Sequence, residues 1–355
     1  MTRFLLAGGG TAGHVNPLLA LADALVADDS SNQVWALGTR EGLESTLVPE
    51  RGYKLLTVER LPFPRKPSWY AVTFPFRFLR AIGQVKSYLK DNQIDVVVGF
   101  GGYASAPAYL AAKSLGIPSV VHEANALPGW ANKLGAKSAK AVGVTFRSTP
   151  IANATFVGMP LRKEIEALAA NSEKESARLH FGLDPDTITL LVTGGSLGAK
   201  RINETIEKSR RVLSAAGIQV LHIMGGRSEL PEVHEKDYVR IAYCDRMDLA
   251  IAASSFAVSR AGSSTVSEFS ALGLPAAYVP YPVGNGEQKL NVADVVSGEG
   301  GLMVLDADFN EAFVADTLVP LISNSRALAE MAKSAKKVGI VDGTARLLAL
   351  VKGVL

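Results

Sequence analysis

Seven residues near the start, Gly8-Gly9-Gly10-Thr11-Ala12-Gly13-His14, join a pliant backbone to a side chain that can take a proton. Glycines let the backbone approach a ligand, and first-turn N–H groups of a helix favour negative charge. A turn built only for phosphate has no need of an imidazole, so His14 points to proton transfer near neutral pH. A second glycine-rich run spans residues 99–107, and His122-Glu123-Ala124-Asn125 follows it. Charged residues are rarely buried without a partner, so this string is a polar site or a helix cap, with Asn125 capping the helix near Trp130.

The second half carries its own set. Ser196 lies in Gly194-Gly195-Ser196-Leu197-Gly198-Ala199-Lys200, where a hydroxyl and amides can meet a phosphate. Ser263, Ser264 and Thr265 open a predicted helix with Glu268 one turn in. A carboxylate there can receive both hydroxyls of a ribose. The alternative is a capping box with Ser264 or Thr265 as the cap. Gln288, in a polar loop over 284–291, suits sugar hydroxyls and equally suits any exposed loop. Asp184/Asp186 and Asp306/Asp308 raise a metal–diphosphate reading. Both pairs sit in turn-like stretches away from the glycine loops, and no His-x-x-His or Glu-x-x-His pair supports a metal site.

Gly8, Gly10 and Gly13 also fit the dinucleotide fingerprint. That pattern expects a carboxylate after the next strand. Here Val34–Leu37 runs into Gly38-Thr39-Arg40, so Arg40 facing a 2′-phosphate keeps an NADP-dependent oxidoreductase open.

The elements that must position these residues are legible as short apolar runs with helical stretches between them. The first half gives strands at Phe4–Ala7, Val34–Leu37, Val96–Gly99, Ser119–His122 and Ala141–Val144. The second gives Thr189–Thr193, Val220–Met224, Val239–Ala242, Phe256–Ser259, Ala276–Val279 and Leu302–Val304. Nearly continuous apolar strands alternating with helices predict parallel sheets covered on both faces. The pattern restarts near residue 188 behind a second glycine turn. The expected fold is therefore α/β, with two Rossmann-like doubly wound domains facing a cleft. The join is expected near residues 158–162, where Gly158 and Pro160 break helix and strand.

At 355 residues the chain is long enough for two such domains. Apolar residues make up 48% and charged residues 20%, as in ordinary globular proteins. The net charge of +3 gives no bulk argument for nucleic acid. A lone cysteine, Cys244, excludes an internal disulfide and a cysteine-cluster metal site, and fits a reducing compartment. No secretion signal and no bilayer-spanning run is read, so the expected location is cytoplasmic. Residues 61–82 combine Phe63, Trp69, Tyr70, Phe74, Phe76, Phe78 and Leu79 with Arg65, Lys66, Arg77 and Arg80. Aromatic and basic residues together suit an anionic membrane surface. Trp69, Phe74, Arg77 and Arg80 are the expected contacts, against the alternative of core packing with solvated arginines.

Taken in order, GGGTAGH, GFGGYASAP, HEAN, GMPLR, GGSLGA, SRAGSSTVSE and NGEQKLN closely resemble the bacterial peptidoglycan glycosyltransferases that make lipid II. The resemblance covers essentially the whole chain and implies the glycosyltransferase B fold. It implies an acceptor- and membrane-facing domain over 1–160, a UDP-sugar domain over 161–340, and a terminal helix of about 341–355 packed on the first. The implied reaction is inverting transfer of N-acetylglucosamine from UDP-GlcNAc to the C4 hydroxyl of the muramyl sugar of lipid I, the undecaprenyl-pyrophosphoryl-muramoylpentapeptide. That is a step in cell-wall biogenesis, cell shape and division, at the cytoplasmic side of the membrane as a peripheral protein.

The resemblance further implies that Ser196 and Ser263–Thr265 hold the diphosphate, Glu268 the ribose and Gln288 the sugar hydroxyls. Arg162 would lie near the nucleotide, and the backbone around Cys244 would meet uracil. Thr11, Ala12, Gly13 and Asn125 would complete the donor pocket. Many relatives have glycine at the position of Ala12 and an aliphatic residue at that of Cys244. His14 is the leading base and Glu123 its rival. No cofactor is required; a divalent cation is compatible with the chemistry, but no protein site for one is seen. A UDP-sugar 2-epimerase on the same fold is a further alternative.

Overall fold

A computed structural model describes residues 1–64, 66–170 and 174–355. Arg65, one of the basic residues of the aromatic segment, lies outside the described residues. The chain forms two compact units, Met1–Arg162 with Asp342–Leu355, and Lys163–Val341.

The first unit holds β1 (Arg3–Ala7), β2 (Gln33–Gly38), β3 (Lys54–Thr57), β4 (Val96–Gly99), β5 (Ser119–Glu123), β6 (Ala141–Val144) and β7 (Thr155–Phe156). The order across the sheet is β3-β2-β1-β4-β5-β6-β7 with every pair parallel. Alternation fixes which side chain goes where. Phe4, Leu6, Val96 and Val98 join one core cluster, which also takes Leu347 and Val351 of the terminal helix Gly343–Lys352. Leu5, Ala7, Leu37 and Val97 join the cluster on the other face. Burying both faces explains why these strands read as unbroken apolar runs.

Strand order reverses at β1/β4, and ligands of open α/β sheets gather at such a switch point, beyond the carboxyl ends of the strands. Both glycine loops of this unit, after β1 and after β4, sit there. Helix α1 (Ala12–Asp28) begins six residues earlier than the apolar run from Leu18 signals, so Gly13 and His14 lie in its first turn. Its other helices relevant here are α2 (Glu44–Glu50), α3 (Trp69–Asp91), α4 (Ser105–Leu115) and α5 (Trp130–Ala136).

The second unit holds β8 (Thr189–Thr193), β9 (Gln219–Ile223), β10 (Val233–Glu235), β11 (Tyr238–Ile241), β12 (Phe256–Ser259), β13 (Ala276–Tyr278) and β14 (Gly301–Met303), in the order β10-β11-β9-β8-β12-β13-β14. Only β10–β11 is antiparallel. Its switch point falls at β8/β12, which puts the loop with Ser196 beside the helix Ser263–Leu272. The strands β3, β7 and β10 were not expected. They are edge or near-edge strands of two to four residues with half-exposed side chains.

Candidate active site

In the first unit the two glycine loops pack backbone against backbone. Gly102 adopts φ +80°, and a side chain there would collide with the Gly9 carbonyl. Gly101 adopts φ +95° and its N–H donates to Ser105 Oγ at 3.0 Å. Glycine is needed here for loop-to-loop contact as well as for the left-handed backbone.

The first loop already holds an anion. Glu44, at the start of α2, is fully buried. Its carboxylate accepts from the Gly10 N–H at 2.7 Å, the Thr39 N–H at 2.8 Å and the Thr39 hydroxyl at 2.9 Å. Side chains at Gly9, Gly38 or Gly42 would each collide with it. A cofactor phosphate would therefore have to displace a buried, triply bonded carboxylate. Arg40 stands one residue from this cage, and the geometry gives the NADP reading no room.

His14 Nδ1 lies 3.1 Å from the Gly9 carbonyl and 3.3 Å from Thr11 Oγ1. A carbonyl only accepts, so Nδ1 is the nitrogen that donates here, and in the neutral ring Nε2 then bears the lone pair. That nitrogen lies against the second loop: a methyl group on Gly101 would stand 3.1 Å from it. Thr11 is the exposed N-cap of α1 without a side-chain cap bond, and Ala12 and Gly13 are half-buried in the first turn.

Glu123 is buried and held by donors only: Asn125 N–H at 2.9 Å, Gly129 N–H at 3.0 Å and Asn132 Nδ2 at 2.9 Å. Asn132 also accepts from the Tyr109 hydroxyl at 2.8 Å. This arrangement shapes the loop after β5. Asn125 is no cap, because the N-cap of α5 is Gly129 and no side-chain cap bond is made; the Asn125 carbonyl accepts from the Thr149 hydroxyl at 3.3 Å. His122 is buried beneath Phe100, and burial pulls it down to about 4, opposed by its bond to the Gly158 carbonyl. Arg162, half-buried, ends the first segment of this unit.

In the second unit the turn after β8 is open. Ser196 and Leu197 are exposed, and Gly195 and Gly198 adopt φ +82° and +81°. A cavity of about 790 Å³ runs past this turn and is lined by Gly194, Lys200, Arg227, Arg260, Tyr281 and Gln288 among others. The helix Ser263–Leu272 has Gly262 as its N-cap and no side-chain cap bond, so the capping-box alternative falls. The Ser264 hydroxyl is buried with no hydrogen-bond partner. Glu268, half-buried, follows at i+4 on the same face, with Thr265 beside it and Ser263 buried behind. Gln288 Oε1 accepts from the Ala261 N–H at 3.1 Å and the Tyr281 N–H at 2.9 Å, which ties two loops together.

Cys244 is buried, next to exposed Tyr243 and before the Arg246–Asp248 pair at 2.7 Å. Arg260 was not singled out in the sequence. It is fixed by Asp306 at 2.6 Å, which also pairs with Arg201 at 3.1 Å. Asp184 accepts from the N–H groups of Asp186 and Thr187 in a local turn. Neither Asp-x-Asp pair is arranged for a cation, and no metal-binding group occurs among the described residues.

The aromatic segment divides by face. Trp69, Val72, Phe76 and Leu79 form an exposed stripe along α3, with Phe63 and Trp130 exposed nearby. Phe74 is a correction: it is buried with Leu61 and Ala81 and is not a surface contact. Arg77 is paired with Glu59 and lies over the Tyr70 ring, while Arg80 is exposed. No helix among the described residues is long and apolar enough to cross a membrane.

The glycosyltransferase family 28 N-terminal domain matches residues 4–144 and the family 28 C-terminal domain residues 189–347. A Clavibacter sepedonicus protein named UDP-N-acetylglucosamine--N-acetylmuramyl-(pentapeptide) pyrophosphoryl-undecaprenol N-acetylglucosamine transferase is 55% identical over 353 residues, 99% of this chain and 96% of its own. A protein of the same name from Streptomyces coelicolor is 48% identical, over 98% and 96%. The crystal structure of Acinetobacter baumannii MurG matches with a TM-score of 0.79 at 25% identity, over 99% of this chain and 100% of that one. UDP-GlcNAc 2-epimerase from Neisseria meningitidis bound to UDP-GlcNAc matches at 0.69 and 15% identity, a likeness of fold alone.

Proposed function

This chain belongs to glycosyltransferase family 28, among the lipid II-forming N-acetylglucosamine transferases, and from that premise we propose how its residues perform the transfer. The protein is an N-acetylglucosaminyltransferase of peptidoglycan synthesis that adds the sugar to the lipid-linked muramyl pentapeptide. The oxidoreductase and epimerase alternatives are not favoured.

In our reading UDP-GlcNAc is held by the second unit. First-turn amides of Ser263–Thr265, the partnerless Ser264 hydroxyl and Ser196 take the diphosphate, Glu268 the ribose, Gln288 the sugar, and the backbone at Cys244 the uracil. Thr11, Ala12, Gly13, Asn125 and Arg162 are the proposed remaining contacts of the first unit and its end. Direct displacement with inversion needs a base on the acceptor hydroxyl and stabilisation of the departing UDP. His14 is that base. One observation carries the assignment: Nδ1–H is committed to the Gly9 carbonyl, so Nε2 is the nitrogen left to accept a proton. Glu123 is an anchor, because its oxygens already serve three N–H donors. We propose that the transfer requires no resident cofactor, and a divalent cation is compatible with the chemistry.

The acceptor is lipid-linked, and the exposed stripe Trp69, Val72, Phe76 and Leu79 gives the first unit a membrane-facing surface, with Arg80 and Lys66 able to meet anionic head groups. The location proposed is the cytoplasmic face, peripherally bound. Incubation with labelled UDP-GlcNAc and a lipid I analogue tests the function. The expected product is one lipid-linked disaccharide with inverted configuration; a labelled free sugar or an epimerised nucleotide sugar would contradict it.

A further inference from the structure

We propose that Glu44 is a positioning residue for the transfer: its buried carboxylate is the built-in anion of the first glycine loop, and by holding Gly10 it sets the Gly9 carbonyl that fixes the ring of His14. The inference rests on the reading of His14 as the base, and it reaches that residue through bonded neighbours. Glu44 bonds Gly10 N–H at 2.7 Å, Gly10 adopts φ +89°, and the preceding carbonyl, Gly9, accepts from His14 Nδ1 at 3.1 Å.

The chemistry explains why a carboxylate stands there. Left alone, the loop presents N–H groups to a buried space, and buried donors without acceptors are costly. Water or a phosphate would satisfy them and leave the loop free to adjust to each visitor. A charged acceptor belonging to the chain makes stronger bonds than a neutral one and is never released. Three glycines, Gly9, Gly38 and Gly42, make room for this carboxylate, since a side chain at any of them would collide with it. The Gly9 carbonyl is thereby held in one orientation, and the imidazole in one tautomer. Loss of the charge should let the loop turn, and a His14 ring that protonates Nε2 instead cannot accept from the acceptor hydroxyl.

The test compares Glu44→Gln with Thr39→Val and His14→Ala. Glutamine keeps the shape of the side chain but sets an NH2 against one of the N–H donors. In Glu44→Gln we expect kcat to fall about 10-fold or more, with KM for UDP-GlcNAc within about twofold, since the donor is assigned elsewhere. Thr39→Val removes one bond from the same carboxylate yet leaves its contact with Gly10, and should change kcat less than about twofold. Nitrogen-15 NMR of the histidine rings, with the His14 signal assigned by its loss in His14→Ala, reads the tautomer without any activity. The wild type should show His14 protonated at Nδ1, and Glu44→Gln a shift toward Nε2. A wild-type ring protonated at Nε2, an unchanged tautomer in Glu44→Gln, or equal losses in the Gln and Val variants would overturn the proposal. Should His14→Ala keep normal turnover, the base assignment fails by itself, and the tautomer shift still decides whether Glu44 positions the ring.

Discussion

Each unit places a glycine-rich turn behind its first strand, at the switch point of the sheet, and the two turns differ in what fills them. The turn of Gly8–Gly13 holds Glu44, a carboxylate supplied 34 residues along the chain. The turn of Gly194–Lys200 is exposed, borders a large cavity, and neighbours a helix start whose Ser264 hydroxyl has no partner. In the function proposed above, the same strand–turn–helix geometry is a fixed scaffold for a base in one unit and an anion receptor in the other. A glycine motif identifies backbone that can meet an anion. Whether that anion is a ligand depends on what the rest of the fold has already put there.

The surfaces differ in the same way. The second unit also exposes apolar side chains, Leu179 and Val283 among them, whereas the first aligns Trp69, Val72, Phe76 and Leu79 at helical spacing along one helix. Replacing those four with serine should produce the largest effect. Each is worth up to about 1.5–3 kcal/mol when buried, so binding to vesicles containing anionic phospholipid should fall at least about 100-fold. Retained co-sedimentation would move membrane contact elsewhere. The charge-dependent part should be smaller, about 1 kcal/mol for Arg80 and less for Arg77, which Glu59 already neutralises.

His14→Ala should lower turnover about 100-fold or more, equivalent to about 2.7 kcal/mol, while UDP affinity measured by calorimetry stays within about twofold. Near-normal turnover would shift the proton to water or another group, and a large loss of UDP affinity would break the division of labour between the units.

Acid should weaken the first unit through His122. Burial holds this ring at about 4 against an ordinary value near 6.5, so the unfolded chain binds the proton first as pH falls. The stabilisation is complete above about pH 6.5 and declines by about 1.4 kcal/mol per pH unit down to about pH 4. All three tryptophans lie in this unit, so denaturant unfolding followed by tryptophan fluorescence at pH 7 and pH 5 reports on it. His122→Phe should flatten that slope, and an unchanged slope would refute the assignment. The smallest expected effect is none: NADP should leave the melting temperature where it is, while UDP raises it. Stabilisation by NADP would mean that Glu44 yields its place.

Much of this was readable in the chain because buried parallel strands are apolar runs and glycine turns interrupt them. Phe4–Ala7, Val96–Gly99 and Phe256–Ser259 show themselves without help from distant residues. Edge strands such as β3 and β10 do not, since half-exposed positions carry no run. Glu44 was missed for a different reason: its partners are Gly10, far along the chain, and Thr39, whose backbone gives no sign of waiting for it. A sequence clue exists, in that an acid follows β2, past the position where a dinucleotide fold keeps its own, and here it turns back to the first glycine loop. Phe74 was assigned to the wrong face because composition was read without phase. Counting back from Ala81, Val85 and Leu89 by helical period reaches Phe74 and Phe78 on the inner side and leaves Phe76 outside.

The central claim is that the nucleotide belongs to the open turn and the carboxylate to the filled one. Calorimetric titration of UDP into wild type, Glu268→Ala and Glu44→Gln tests it directly. The account predicts that Glu268→Ala loses about 1.5–3 kcal/mol of UDP affinity, the worth of hydrogen bonds to a charged group, while Glu44→Gln binds UDP like the wild type. Unchanged affinity in Glu268→Ala, or a loss confined to Glu44→Gln, would contradict it.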